Sequence, residues 1–359
     1  MVNAYMKVAM ISTPFLTVPP RDYGGTELIV YELVEGLTRR GHEVTLYATG
    51  DSSTSAKLRC LYTNPQWPPH HLPDLDHVTW AMREVAREGD FDLVHAHSPV
   101  ALGLQRLTRH PALIYTLHHH RDPHLSSFYR NCHDAHFVAI SVDQAKREIP
   151  LPRLTVIHHG LNPDVFTVLA QPSDYVCFIS RLAEVKGPAT AIDVARQAGL
   201  RIRVAGSVHP VDEPYAHREL AHRLNQRHVT FLGPVGLDVK VPLLRDARAL
   251  LAPITWNEPF GLVVIEAMLS GCPVVGFPRG SLPELIESGI TGFLVRDAAE
   301  MASVIRKGGP LDEFDRLQCR ARAIERFSSD RMVAAYERLY NRVTTGDPDV
   351  QPSRPSRVA

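Results

Sequence analysis

At 359 residues the chain exceeds the size at which one hydrophobic core normally stops growing, which predicts two domains. Its 39 Lys and Arg balance its 39 Asp and Glu, which excludes a nucleic-acid-binding surface spread over the whole molecule, and 44% apolar with 22% charged residues is the make-up of an ordinary soluble protein. The five cysteines (Cys60, Cys132, Cys177, Cys272 and Cys319) are odd in number and far apart without a C-x-x-C, so neither a disulfide framework nor a zinc knuckle is predicted and a reducing cytoplasm fits best.

The chain opens on a strand-like KVAMIS where a signal peptide would carry its apolar core. No apolar run approaches the roughly 20 residues needed to cross a bilayer. Next comes TPFLTVPPRDYGGTELIVYELVEGL, in which Gly24 and Gly25 open a predicted helix that Thr26 can help cap. The free amides of such a helix start favour negative charge. The loop is not the G-x-G-x-x-G fingerprint, and no acidic residue closes the second strand EVTLYAT directly, Asp51 coming only after Gly50. Both points count against a dinucleotide site. Arg39, Arg40 and their neighbours form a mixed-charge face, allowing at most peripheral contact with an anionic membrane.

Apolar, β-branched runs then alternate with helix-like stretches: FDLVHAH, ALIYTLH, AHFVAIS and LTVIHHG complete a first series. The alternation predicts parallel strands with crossover helices. His118, His119 and His120 end the strand ALIYTL. Successive extended residues point to opposite sides, and no H-E-x-x-H or carboxylate set accompanies them, so no metal site is predicted. His118, at the strand's end, is the one expected to donate a hydrogen bond to a ligand or a developing charge.

Residues 161–174, LNPDVFTVLAQPSD, break the pattern with proline and polar residues and predict the boundary between domains 1–165 and 172–328. A second series follows: YVCFIS, RIRVAG, HVTFLG, ALLAPI, PVVGF and GFLV. ISRLAEVKG places Arg181 and Lys186 in the loop after its first strand, where a guanidinium and an ammonium suit a diphosphate. In EPFGLVVIEAM two carboxylates, Glu258 and Glu266, stand eight positions apart around the start of a helix over 262–269. Glu258 precedes a proline and reads as loop, and Gly261 permits a close turn. The first helical amides make a phosphate site, with Glu266 over a turn where it could bind a ribose and Glu258 reaching to whatever the phosphate carries. PRGSLPELIESGITGFLV reads as scaffolding apart from Gly280 and Ser281, which stand near the phosphate.

SSDRMVAAYERLYNRV predicts an amphipathic helix over 329–343, with Ser329 as N-cap and Met332, Tyr336 and Leu339 on one stripe that packs back on the first domain. Residues 346–359 hold too little apolar content to fold and are expected to be mobile.

Together these stretches resemble family 4 of the retaining glycosyltransferases over roughly residues 7–340. The E-x7-E motif is the most specific element, supported by YGGTE, the TLH strand end, SRLAEVKG, VAG, GSLPELI and TGFLV. The resemblance implies the GT-B fold: two facing Rossmann-like α/β domains with a deep cleft between them. It implies that Arg181 and Lys186 bind the donor diphosphate and stabilise its departure, that Glu266 holds the ribose and Glu258 the donor-sugar hydroxyls. Amides of Leu262 and Val263 would meet the phosphate, Gly24 and Gly25 would approach donor phosphates and acceptor, His118 would stand near the reacting sugar, and the base would rest near Gly233 to Val235. Ser281, where the family often has a second glycine, and Val185, where glutamate is commoner, depart from the pattern without removing a charge.

The implied reaction is retaining transfer from a nucleoside diphosphate sugar, uridine-linked by family frequency, to an acceptor hydroxyl, without metal or cofactor. A front-face route, with the leaving phosphate taking the acceptor's proton, is expected. YGGTELIVYELVEGLTRRGHEVTLYATGDS resembles actinobacterial members of antibiotic pathways, which implies an oligosaccharide or other secondary metabolite as acceptor. A lipid or cell-envelope glycan acceptor, a sugar-nucleotide 2-epimerase, a nicotinamide oxidoreductase and a non-catalytic sugar-nucleotide-binding protein are the alternatives.

Overall fold

The computed structural model describes residues 5–22, 24–105 and 112–345, and the tail expected to be mobile lies outside them. The chain divides into two compact units. Among the described residues, one unit comprises 5–20, 24–158 and 329–345, and the other 21–22 and 159–328.

The first unit holds a seven-stranded sheet of β1 (Lys7–Ile11), β2 (Glu43–Tyr47), β3 (Lys57–Arg59), β4 (Leu93–Ala96), β5 (Ala112–Leu117), β6 (His136–Ala139) and β7 (Leu154–Val156). The order is β3-β2-β1-β4-β5-β6-β7, every pair parallel. Six of these strands are the runs legible in sequence; β3, the polar KLR at the sheet edge, is not. Central β1 and β4 are buried nearly throughout, as parallel strands covered on both faces must be.

The helix Gly25–Arg39 follows β1 and buries Ile29, Val30, Leu33, Val34 and Leu37, a stripe of helical period. Its N-cap is Gly24, at φ 157° and with no side-chain cap. Thr26 therefore lies within the first turn and does not cap, a correction to the sequence reading. A Cβ on Gly24 would stand 2.8 Å from both Leu16 Cδ1 and Pro20 Cβ, so the close-packed backbone itself starts the helix.

The closing helix Ser329–Thr345 belongs to this unit. Ser329 is its first residue and not a cap preceding it. Met332, Tyr336 and Leu339 are buried together with Val333 and Tyr340. It packs on the helix Gly25–Arg39 where Gly36 leaves room, since a Cβ there would meet Val333 Cγ2 at 2.4 Å. Glu337 is buried and receives Arg40 Nη1 at 2.6 Å and contacts His42 Nε2 at 2.9 Å. Arg40 Nη2 also donates to the Asp330 carbonyl at 3.1 Å. Arg40, read in the sequence as part of a mixed-charge face, is thus committed within the fold. Among the described residues no helix is long and apolar enough to cross a membrane.

The second unit holds β8 (Tyr175–Ile179), β9 (Arg201–Ala205), β10 (Val229–Gly233), β11 (Leu250–Ala252), β12 (Val274–Gly276) and β13 (Gly292–Leu294), all six legible in sequence. They form one parallel sheet ordered β10-β9-β8-β11-β12-β13. Val176, Phe178, Ile202, Val204 and Leu251 from the strands pack with Ile192, Val194 and Met301 from covering helices. In each sheet the strand order reverses direction once, between β1 and β4 and between β8 and β11. Open α/β sheets bind ligands at the carboxyl ends of the strands flanking such a reversal.

Candidate active site

In the second unit the reversal lies at the ends of β8 and β11, and both candidate cations are there. Arg181 stands two residues past the end of β8, and its Nε lies 3.4 Å from Asp212 Oδ2. Lys186 closes a 3-10 turn, Glu184–Lys186. That turn ends at Gly187, φ 76°, where a Cβ would come within 2.3 Å of the Pro253 carbonyl, and Thr255 N donates to the Val185 carbonyl at 2.9 Å. The turn is therefore pinned to the loop leaving β11.

Glu258 lies in that loop. Its carboxylate is ion-paired with Lys186, and Trp256 Nε1 donates to the same oxygen at 2.9 Å. The Lys186 ammonium lies 4.6 Å from the centroid of the Trp256 ring. Behind the loop, Ser281 N donates to the Glu258 carbonyl at 3.0 Å and Ser281 Oγ to the Phe260 carbonyl at 2.6 Å. Gly280, φ 55°, packs so closely that a Cβ would meet Glu258 N at 2.3 Å. Gly280 and Ser281 thus act on the backbone that carries Glu258.

The helix Leu262–Leu269 begins at the residue expected, with Gly261 as N-cap at φ 89° and no side-chain cap. The amides of Leu262 and Val263 stand in its first turn, where helical geometry supplies no carbonyl partner. Glu266 is 2% exposed and accepts from Lys240 Nζ at 2.5 Å. The two glutamates of the motif are therefore matched to two different cations. A buried carboxylate needs such a partner. Gly233, φ 70°, ends β10, and its carbonyl accepts from Gly206 N at 2.8 Å, which brings the Gly233–Val235 segment alongside the end of β9. Asp212, Lys240 and Trp256 were not singled out in the sequence. Of these, Trp256, two residues before Glu258 in WNEPFG, carried the only nearby signal.

In the first unit the reversal lies at the ends of β1 and β4. Gly24 and Gly25 open the helix after β1. Glu27, in its first turn, is buried and accepts from Thr13 Oγ1 at 2.5 Å, and burial raises its pKa. His118, just past β5, shares a 2.7 Å contact between its Nε2 and Nδ1 of His97, just past β4. Burial holds the His118 pKa down at about 3, so the ring is neutral near pH 7. His119 turns the other way, its Nε2 2.8 Å from the Tyr129 hydroxyl, and His120 is exposed. The three successive histidines diverge as extended geometry requires. Among the described residues no group of three or more His, Cys, Asp or Glu is gathered as a metal site.

Two family models match the chain: Glycosyltransferase Family 4 over residues 23–165, and Glycosyl transferases group 1 over residues 173–307. An uncharacterized glycosyltransferase of Methanocaldococcus jannaschii is 26% identical over 351 residues, covering 81% of this chain and 85% of that one. Among solved structures, AviGT4, a glycosyltransferase involved in avilamycin A biosynthesis, superposes with a TM-score of 0.74 at 24% identity, over 95% of this chain and 98% of its own. Anabaena HepE, in complex with UDP and glucose, gives a TM-score of 0.73 at 21% identity over 94% and 100%. With two parallel sheets, each reversing at the point where the matched motif residues gather, this chain belongs to the family 4 glycosyltransferases of the GT-B fold.

Proposed function

We propose that the chain transfers a sugar, with retention and without a divalent metal, from a uridine diphosphate sugar to an acceptor hydroxyl of an oligosaccharide or other secondary metabolite. The observation that carries this reading is the arrangement at the β8–β11 reversal: Arg181, the Lys186–Glu258 pair and the uncapped start of the helix Leu262–Leu269 lie at the carboxyl edge of one sheet. The diphosphate takes the cations and the helix amides, which gain strength as charge develops on the leaving oxygen. Glu266 takes the ribose, the Gly233–Val235 segment the base, and Glu258 the donor-sugar hydroxyls. The leaving phosphate accepts the acceptor's proton on the same face. The uridine assignment is supported by the UDP bound to Anabaena HepE, and the class of acceptor by the pathway in which AviGT4 takes part.

The test is a thermal-shift series with UDP, GDP, ADP and NAD, since a ligand of the folded state raises Tm by mass action. A shift with UDP without added metal, lost in Glu266→Ala, is expected. A shift with NAD alone refutes the proposal, as does a near-normal kcat in the Arg181→Ala, Lys186→Ala double variant.

A further inference from the structure

Two ion pairs hold the motif glutamates of the second unit, and they differ in depth. The side chains of Lys240 and Glu266 are 13% and 3% exposed, against 16% and 14% for Lys186 and Glu258. A buried pair is a poor source of stability, because the cost of taking two charges out of water offsets their attraction and apolar side chains of the same volume would pack as well. Packing therefore does not account for charges at Lys240 and Glu266.

Each member stands near the start of a helix that the donor reading already uses. Lys240 lies in the first turn of the helix Leu237–Asp246, which follows the Gly233–Val235 segment, and its N–H donates to the carbonyl of the N-cap Gly236 at 2.9 Å. Glu266 is in the helix Leu262–Leu269, and the two helices pack on one another. Helical side chains lean back towards the N-terminus of their helix. The ammonium thus leans towards the Gly233–Val235 segment and the carboxylate towards the amides of Leu262 and Val263, and they meet at 2.5 Å between Nζ and Oε1. In a nucleotide the ribose is the covalent link between base and phosphate. A pair that joins the helix after the base segment to the helix that takes the phosphate stands where a ribose belongs.

We propose that Lys240 is a positioning residue: it fixes Glu266 through Oε1 so that Oε2 accepts from a ribose hydroxyl, which makes the site selective for ribonucleotides over their deoxy analogues. This rests on the donor reading, in which Glu266 takes the ribose, and adds the group that aims the carboxylate. A carboxylate is an acceptor only and bonds a hydroxyl strongly. A ligand without that hydroxyl leaves the oxygen desolvated and unmatched, which is the source of the discrimination. Because its ammonium is engaged by Glu266, Lys240 leaves the diphosphate to Arg181 and Lys186.

The test measures Kd by calorimetry for UDP, 2′-deoxy-UDP and 3′-deoxy-UDP. The wild-type chain is expected to bind at least one deoxy analogue about tenfold or more weakly than UDP. Lys240→Met, which keeps the side chain's length without its charge, is expected to bring the three values within about threefold of one another. In a Glu266→Gln background the same substitution is expected to change none of them, since Lys240 acts through Glu266. A wild-type chain that binds UDP and both analogues alike, an unchanged ratio in Lys240→Met, or equal losses for all three ligands overturns the proposal and leaves UDP binding standing. A further loss in the Glu266→Gln background overturns it too, because Lys240 then acts on the ligand by itself. A wild-type chain that binds no UDP refutes the donor reading and the proposal with it. Chemical denaturation without ligand checks the pair directly: Lys240→Met strands the buried carboxylate and is expected to lower the midpoint, and adding Glu266→Gln to restore most of the loss. A midpoint unmoved in Lys240→Met shows that the ammonium does not hold the carboxylate and overturns the proposal.

Discussion

Replacing Glu258 by Gln is predicted to tighten UDP binding while slowing sugar transfer. Lys186 and Glu258 are paired with only 16% and 14% of their side chains exposed, so their charges are weakly screened. A diphosphate at Lys186 brings like charge to within about 6 Å of the Glu258 carboxylate; at an effective dielectric of about 20 this repulsion is roughly 3 kcal/mol. Water at the mouth of the site reduces it to about half, and about 1.4 kcal/mol corresponds to a tenfold lower Kd. Gln keeps the side chain's shape and an oxygen for Trp256 Nε1, so the loop is retained. Calorimetric titration with UDP, without divalent metal, reads the effect, and kcat with the UDP-sugar is expected to fall at least about tenfold because a charged contact to the sugar is lost. An equal or weaker UDP affinity in Glu258→Gln refutes the reasoning.

Gly280→Ala is expected to destabilise the second unit by about 2 kcal/mol or more, because a Cβ at φ 55° is strained and meets Glu258 N at 2.3 Å; a drop in Tm of about 4–8 °C is the readout. Glu337→Ala leaves Arg40 and His42 without their buried carboxylate and is expected to cost about 3 kcal/mol in chemical denaturation, whereas an exposed pair would cost under 1. Burial lowers the pKa of His95 and His118 from 6.5 to about 3 and that of His77 to about 4, all in the first unit. Below about 6.5 the unfolded chain binds protons that these buried rings refuse, so their stabilisation is full above that pH and is lost as pH falls towards 4. Tm measured from pH 7.5 to 4.5 should fall first in the first unit, and a flat profile over that range contradicts it.

The strands were readable because central parallel strands are buried on both faces and announce themselves as apolar runs. β3 was not, because a three-residue edge strand with two charged residues, Lys57 and Arg59, leaves no such trace. The helix Leu262–Leu269 was readable through its glycine and its apolar content. What the glutamates touch was not: Lys240 lies 26 residues from Glu266 and Lys186 lies 72 from Glu258, separations at which only the sheet order brings side chains together. Thr26 was misread as a cap because the rule for capping residues takes no account of a tightly packed glycine backbone that starts a helix unaided. His97 stood in plain view in FDLVHAH, yet its bearing on His118 depends on β4 and β5 being neighbours.

The first unit is interrupted in the chain: its closing helix is translated only after the whole of the second unit. A ribosome therefore releases β1 to β7 well before Tyr340 and Glu337 exist to satisfy His95 and Arg40. During that interval the groove on the helix Gly25–Arg39 beside Gly36 lies open and apolar, so this half of the enzyme waits, nearly assembled, for the last residues to be made. Vectorial synthesis thus favours completion of the second unit first, and any nonsense or frameshift lesion after residue 328 leaves that unit whole while depriving the other of its seal.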